Sequence, residues 1–296
     1  MYASPFEYAT ASSWEEAVHI LAEAGDDATV IAGGQSLVPM MTLRLATPRM
    51  LVDVNRASSE SIWHDDGRLV IPALTHHADL QRSPLVLRLS PILSEAASFI
   101  GNVRVRHRGT VGGSLAHADP AAELPTVAVA LRGSVDVRGP AGERTIPVAD
   151  FFVSHFTTAL EPAEVVTSVS VPVLPEGHGW AFVELARRVG DFALVEAAAL
   201  VDLDEDGRRC SGVRLALGAV GERPFDASHL AATMIGADLK EDTVVDAARA
   251  VSEEVEPLSG VHGSGEYRRQ MAGVVTKRAL LAAIRRARRP KGEASG

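Results

Sequence analysis

Cysteine is almost missing from this chain of 296 residues. The single thiol, Cys210, can form no internal disulfide and cannot alone hold zinc or an iron–sulfur cluster, so any such centre belongs to another chain. A positive field is missing as well: the formal net charge is -9, which argues against general binding of nucleic acid or lipid surfaces. The one basic run, "IRRARRPKG", reads as the last turn of a helix, where cations suit the dipole, followed by a frayed tail. No apolar run reaches membrane-spanning length, and the opening residues show no positive stretch ahead of an apolar core. We therefore expect a soluble, cytoplasmic protein. Internal repeats and low-complexity tracts are also lacking.

What is present is ample apolar material for two or three packed units. "SWEEAVHILAEAG" predicts a short amphipathic helix, with Ser13 as cap, acids in the first turn, Ala17, Ile20 and Leu21 on one face, and Gly25 as the stop. "ATVIAG" and "MLVDVN" predict buried strands flanking the helical "LVPMMTLRL". "RLVIPALTHHADLQRS" opens a second unit as strand, turn and helix entered near His76. A helix ending near Phe99, an irregular arginine-rich passage, a second glycine turn and a helix after Pro120 follow. Two strands around "GPAG" and the alternating "EVVTSVSVPVLP" make antiparallel pairing dominant up to Pro175. Beyond Gly177 come three strand-like runs separated by turns, then helices from Ala227 to Arg289. The expected division is 1–55, 56–176, 177–289 and a flexible tail at 290–296, in an α+β fold.

Two glycine pairs stand out, in "AGGQSL" and "TVGGSL". Neither fits the Rossmann fingerprint, which needs G-x-G-x-x-G, and neither is followed by the Lys-Ser or Lys-Thr of a P-loop. Either pair alone is as consistent with a plain turn as with a binding loop. Together they place Gly33, Gly34 and Ser36, and Gly112, Gly113 and Ser114, where free amides and a hydroxyl could grip one pyrophosphate from two sides.

"AGGQSLVPMMTLRLATP" and "RHRGTVGGSLAHADPAAELP" resemble the two FAD-binding signatures of the flavin subunits of molybdenum hydroxylases, the family of the carbon monoxide dehydrogenase medium subunit and the xanthine dehydrogenase flavin domain. "RRVGDFALVEAAA" and "VHGSGEYRRQMAGVVTKRAL" resemble that family's C-terminal domain, so the likeness runs in order along the chain. It implies a two-part FAD-binding domain of the vanillyl-alcohol oxidase type, followed by a C-terminal domain with a small antiparallel sheet and helices. By that resemblance Ala32, Gly33, Gly34, Gln35, Ser36 and Leu37 wrap the FAD pyrophosphate, with Thr110, Gly112, Gly113 and Ser114 as the second clamp. Ile100 lies near the flavin nucleotide, Glu123 takes the place of an aspartate on the cofactor's hydroxyls, and the Leu160 backbone touches the cofactor. Asp191 and Phe192 sit beside the isoalloxazine, where some relatives have tyrosine; phenylalanine keeps the flat apolar contact and loses the hydroxyl.

Departures narrow the reading. Gln35 replaces a histidine frequent in carbon monoxide dehydrogenases, and Gly260 replaces a common acid, so carbon monoxide is not specifically indicated. With only Cys210, the branch carrying an extra cluster on the flavin subunit is disfavoured. His76 and His77 are neighbours without a third ligand, and read as a helix start rather than a metal site. His117 and Asp119 read as shaping the turn after the second clamp rather than as an acid–base pair, and Ser36 and Ser114 lack a nucleophile elbow. Arg104, Arg106, His107 and Arg108 could face phosphate, a negative partner surface or solvent.

The expected function is that of an electron-transfer flavoprotein subunit, with no catalytic acid or base and no metal of its own. Its partners by resemblance are a large molybdopterin-binding subunit and a small subunit with 2Fe-2S clusters, in a dimer of heterotrimers. The alternative is a self-sufficient FAD-dependent oxidase or dehydrogenase of the same fold. Substrate and electron acceptor are not legible in this chain.

Overall fold

The structure, a computed structural model, describes residues 2–288. The expected tail at 290–296 lies outside them. The first unit is a three-stranded parallel sheet in the order Glu7–Thr10, Met50–Asp53, Ala28–Ile31. Helix Trp14–Ala24 packs on it, started by Ser13, whose hydroxyl accepts from the Glu16 amide at 3.2 Å. Ala17, Val18 and Leu21 are its buried face, set against Val52 and Val54, while Ile20 is only half-buried.

The second unit is a five-stranded antiparallel sheet, ordered Trp63–Asp65, Arg68–Pro72, Val165–Pro172, Ser134–Gly139, Gly142–Pro147. Helices Pro91–Phe99, Val111–His117 and Glu123–Ala130 bury Ile92, Leu115 and Leu124, with Leu131 just past the last helix, in one core with Leu69 and Ile71 of the sheet. The arginine-rich passage is not irregular throughout. Asn102 accepts from the amides of Arg104 at 2.9 Å and Val105 at 3.3 Å and so starts a short helix, Val103–Arg106.

The third unit is a four-stranded antiparallel sheet in the order Gly179–Leu185, Val195–Leu203, Cys210–Gly218, Phe225–Asp226. Both of its faces are covered, which is why Val195 to Val201 forms one unbroken buried run instead of alternating. Ala197, Ala199 and Val201 pack with Ala272, Val275 and Ala279 of the long helix Gly265–Ala287. Phe182, Ala198, Leu200 and Ala216 point the other way and join the core of the second unit. The C-terminal sheet thus rests on helices Pro91–Phe99 and Glu123–Ala130, the elements that lead into and away from the second glycine segment.

Candidate functional site

The first glycine pair sits at the carboxyl end of strand Ala28–Ile31, before helix Leu37–Thr42. Gln35 Nε2 donates to the Gly33 carbonyl at 3.0 Å, and Val38 N to the Gly34 carbonyl at 3.0 Å. Those bonds hold the loop without using its own donors: among the described residues, the N–H groups of Gly33, Gly34, Gln35, Ser36 and Leu37 find no acceptor. Of these residues Gly33, Gly34 and Gln35 border a cleft of about 390 Å³ that also exposes Tyr8, Asp53, Asn55 and Arg108. Unsatisfied amides on the wall of a concave surface form a cradle for an anion.

Sequence reasoning missed Tyr8, Asp53 and Asn55. Tyr8 hydrogen-bonds Asp53, and Asn55 bonds both Asp53 Oδ1 at 2.7 Å and the Ala32 carbonyl at 3.1 Å. The available signal was that ligands gather at the carboxyl ends of parallel strands. "MLVDVN" carries its polar residues at that end, but the parallel pairing is invisible locally.

The second glycine pair differs from expectation. It does not form a turn with free amides; it is the first turn of helix Val111–His117, with Thr110 as cap. The Gly112 amide donates to the Ala73 carbonyl at 2.8 Å, Gly113 to Thr110 Oγ1 at 3.2 Å, and Ser114 to the Thr110 carbonyl at 3.0 Å. A side chain on Gly112 would meet Ala73 Cβ at 2.5 Å, so this glycine serves close packing. What the segment leaves open is the exposed Gly113 and the half-buried Ser114.

The two segments nonetheless meet. A Cβ on Gly33 would lie 2.1 Å from the Arg108 carbonyl oxygen and 2.8 Å from Gly109 Cα, so the first loop lies against the peptide that precedes Thr110. That peptide is held in turn by His77, whose amide donates to the Gly109 carbonyl at 3.1 Å. Burial, together with the neighbouring His76 and the positive charge of Arg106, pushes the His77 imidazole down to about 4, leaving it neutral at pH 7. Asp119 shapes the following turn: Ala118 adopts φ 51°, and Asp119 accepts from the Ala121 amide at 2.9 Å, while the His117 ring lies beside Phe156.

Ile100, Asp191 and Phe192 are brought together by a backbone contact. Gly190, at φ 84°, lies so close to Gly101 that a Cβ would sit 2.7 Å from the Gly101 carbonyl oxygen. Arg106 steadies this point by donating to the carbonyls of Ile100 at 3.0 Å and Gly101 at 3.2 Å. Phe192 stands 71% exposed beside it. Leu160 follows strand Thr157–Thr158 and is half-buried against the second core.

Glu123 begins helix Glu123–Ala130 in a half-buried position, where loss of water at its carboxyl and the nearby Glu184 and Asp119 push it up to about 8. Among the described residues no group of three or more His, Cys, Asp or Glu side chains is placed to hold a metal, and no helix is long and apolar enough to cross a membrane. The chain thus presents a donor cradle, a hydroxyl-bearing helix start and an exposed aromatic near one another in the fold.

Residues 4–174 match the FAD binding domain in molybdopterin dehydrogenase, and residues 180–283 match the CO dehydrogenase flavoprotein C-terminal domain. The chain is 43% identical to the 6-hydroxypseudooxynicotine dehydrogenase complex subunit alpha of Paenarthrobacter nicotinovorans, covering 97% of each chain. It superimposes on a chain of carbon monoxide dehydrogenase from Hydrogenophaga pseudoflava with a TM-score of 0.94 at 38% identity, over 97% of this chain and 99% of that one. A chain of quinoline 2-oxidoreductase from Pseudomonas putida 86 matches with a TM-score of 0.92 at 38% identity, over 97% and 99%. The protein belongs to the family of FAD-binding medium subunits of molybdenum hydroxylases. It is the FAD-containing subunit of a multi-subunit, molybdopterin-dependent oxidoreductase.

Proposed function

We propose that this chain holds FAD between its two glycine segments and places it to receive electrons from the iron–sulfur subunit and deliver them to an external acceptor. Gly33 to Leu37 supply amides to the pyrophosphate, with the Ser36 hydroxyl beside them, and Gly113 and Ser114 close on it from the helix start. Glu123 faces the cofactor's hydroxyls. Ile100, Leu160, Asp191 and Phe192 frame the isoalloxazine. FAD, when bound, supplies the two-electron store; the chain supplies position, local dipoles and shielding from water. No side chain here is assigned a catalytic acid or base role.

The observation that carries this reading is the loop Gly33 to Leu37, whose five amides lack acceptors and which abuts the Arg108–Gly109 peptide. We further propose that residues 1–55, 56–176 and 177–289 act as three units around the cofactor. The assembly is a cytoplasmic dimer of heterotrimers with a large molybdopterin-binding and a small iron–sulfur subunit.

The test is the visible spectrum of the native assembly, with mass identification of the chains that purify with it. Flavin bands, iron–sulfur absorbance and two partner chains are the expected result. A yellow chain without partners after gentle isolation would replace this reading by a self-sufficient flavoenzyme.

A further inference from the structure

Three carboxyl groups converge at the base of the loop that carries Asp191 and Phe192. Glu184 and Glu196 lie directly opposite one another in the antiparallel ladder, next to the strand ends from which that loop springs. Period-two alternation turns both toward the second unit, on the same face as Phe182 and Ala198. There they meet Glu123 at the start of its helix, with Asp119 one turn before it. Like charges directly opposite on a sheet repel, and this pair is also removed from water.

Glu196 is wholly buried, and the Thr126 hydroxyl lies beside its Oε1 and favours the charged form, but neither group has a well-formed hydrogen bond among the described residues. Both pack against Gly218, where a Cβ would lie 2.4 Å from the Thr126 hydroxyl and 2.2 Å from Glu196 Oε1. No described Lys, Arg or His forms an ion pair with any of the three glutamates. The Arg268 guanidinium, next to the start of strand Val195–Leu203, donates to the carbonyls of Leu194 at 3.2 Å and Ala219 at 3.5 Å. Without a cation, the cluster lowers its charge by keeping protons, and the burial that enforces this also raises Glu184 to about 7 and Glu123 to about 8.

We propose that Glu123, Glu184 and Glu196 form a redox-linked proton site, which binds a proton from water when the neighbouring cofactor gains electrons and releases it on reoxidation. The inference rests on the FAD placement proposed above. Added negative charge on the cofactor raises the proton affinity of carboxylates beside it, and by linkage a proton on the cluster raises the cofactor's electron affinity. The balance is one O–H bond formed on a carboxylate oxygen for each electron pair received. The electrons come from the iron–sulfur partner, and the proton enters from solvent through Glu184, which like Glu123 is half-buried, and not through the wholly buried Glu196. These residues are positioning groups; they act through charge and need not touch the ring.

The test is a spectroelectrochemical titration of the flavin bands in the FAD-loaded full-length chain at a series of pH values, for the wild type, Glu196→Gln and Glu184→Gln. Above neutral pH the slope of potential against pH should report about one more proton per electron pair in the wild type than in Glu196→Gln. Equal slopes in flavin-loaded proteins would overturn this inference and leave the FAD assignment standing. A chain that holds no flavin in any preparation would overturn both. Should Glu196→Gln not fold, the rim variant Glu184→Gln carries the same comparison. Independently, the cofactor-free wild type should lose thermal stability from neutral to alkaline pH more steeply than Glu196→Gln; superimposable profiles would remove the shared proton.

Discussion

Gly33 lies against the carbonyl of Arg108, and a single methyl on Gly33 would come within 2.1 Å of that oxygen. The obstacle is backbone, which cannot swing aside as a long side chain would. Gly33→Ala should therefore push the loop off the Arg108–Gly109 peptide and disorder the row of amides. We expect FAD to bind at least about tenfold more weakly, a change of about 1.4 kcal/mol. The ratio of flavin to protein after gel filtration measures this. Full FAD content in the variant would show that the apposition is not needed for binding.

The exposed ring of Phe192 separates function from stability. With 71% of its surface in water, it contributes little to the fold, and Phe192→Ala should leave stability within about 0.5 kcal/mol. The flavin's fluorescence and visible band shape should change, since an aromatic face is lost beside the ring. Unaltered spectra in a fully loaded variant would remove Phe192 from the site.

Arg286 ties the last helix to the second unit. Its guanidinium donates to Glu95 Oε1 at 2.7 Å and Oε2 at 2.9 Å, donates to the Trp180 carbonyl at 2.7 Å, and lies 3.8 Å from the Trp180 ring centroid. Glu95 Oε2 also accepts from the Phe182 amide at 2.9 Å. Such a partly buried, bidentate and stacked arrangement exceeds an exposed ion pair in strength. Arg286→Ala should cost about 2 kcal/mol. Arg286→Lys should recover little, because an ammonium can neither fork nor stack in the same way. Thermal melts of the three proteins decide it; an unchanged midpoint in the alanine variant would contradict the tie.

Stability of the cofactor-free chain should peak on the mildly acid side. Glu123 at about 8 and Glu184 at about 7 both stand above the ordinary glutamate value of 4.5, so the folded state holds protons that the unfolded chain releases. Their contribution is complete below the unfolded value and is lost as pH rises through 7 and 8. Glu164 runs the other way: hydrogen bonds from Arg144 at 2.7 and 2.8 Å hold it below its ordinary value. Its contribution is present above 4.5 and is lost as pH falls further. A series of melting curves across pH checks both slopes. A midpoint that rose steadily from neutral to alkaline pH would contradict the buried-carboxyl account.

Much of the fold is local and therefore legible in the chain itself. The Ser13 cap with its acidic first turn, the hairpin around "GPAG" and the three strand-like runs after Gly177 depend on periodicity and turn chemistry within a few residues. The family resemblance was carried by four short motifs in order, and the lone Cys210 placed iron–sulfur chemistry elsewhere. Non-local features were not legible. The second glycine pair reads as an open turn because nothing nearby in sequence announces that Ala73 and Thr75 will take the amides of Gly112 and Val111. Tyr8, Asp53 and Asn55 become a cleft wall only once the strands pair in parallel. Glu184, Glu196 and Glu123 look like ordinary surface acids until sheet register and domain packing close over them. Local periodicity and turn chemistry in the sequence determined most of the elements, and its resemblance to a known family pointed to the cofactor class; tertiary structure alone decided which amides stay free and which carboxyls lose water, because hydrogen-bond satisfaction and desolvation depend on distant chain segments meeting.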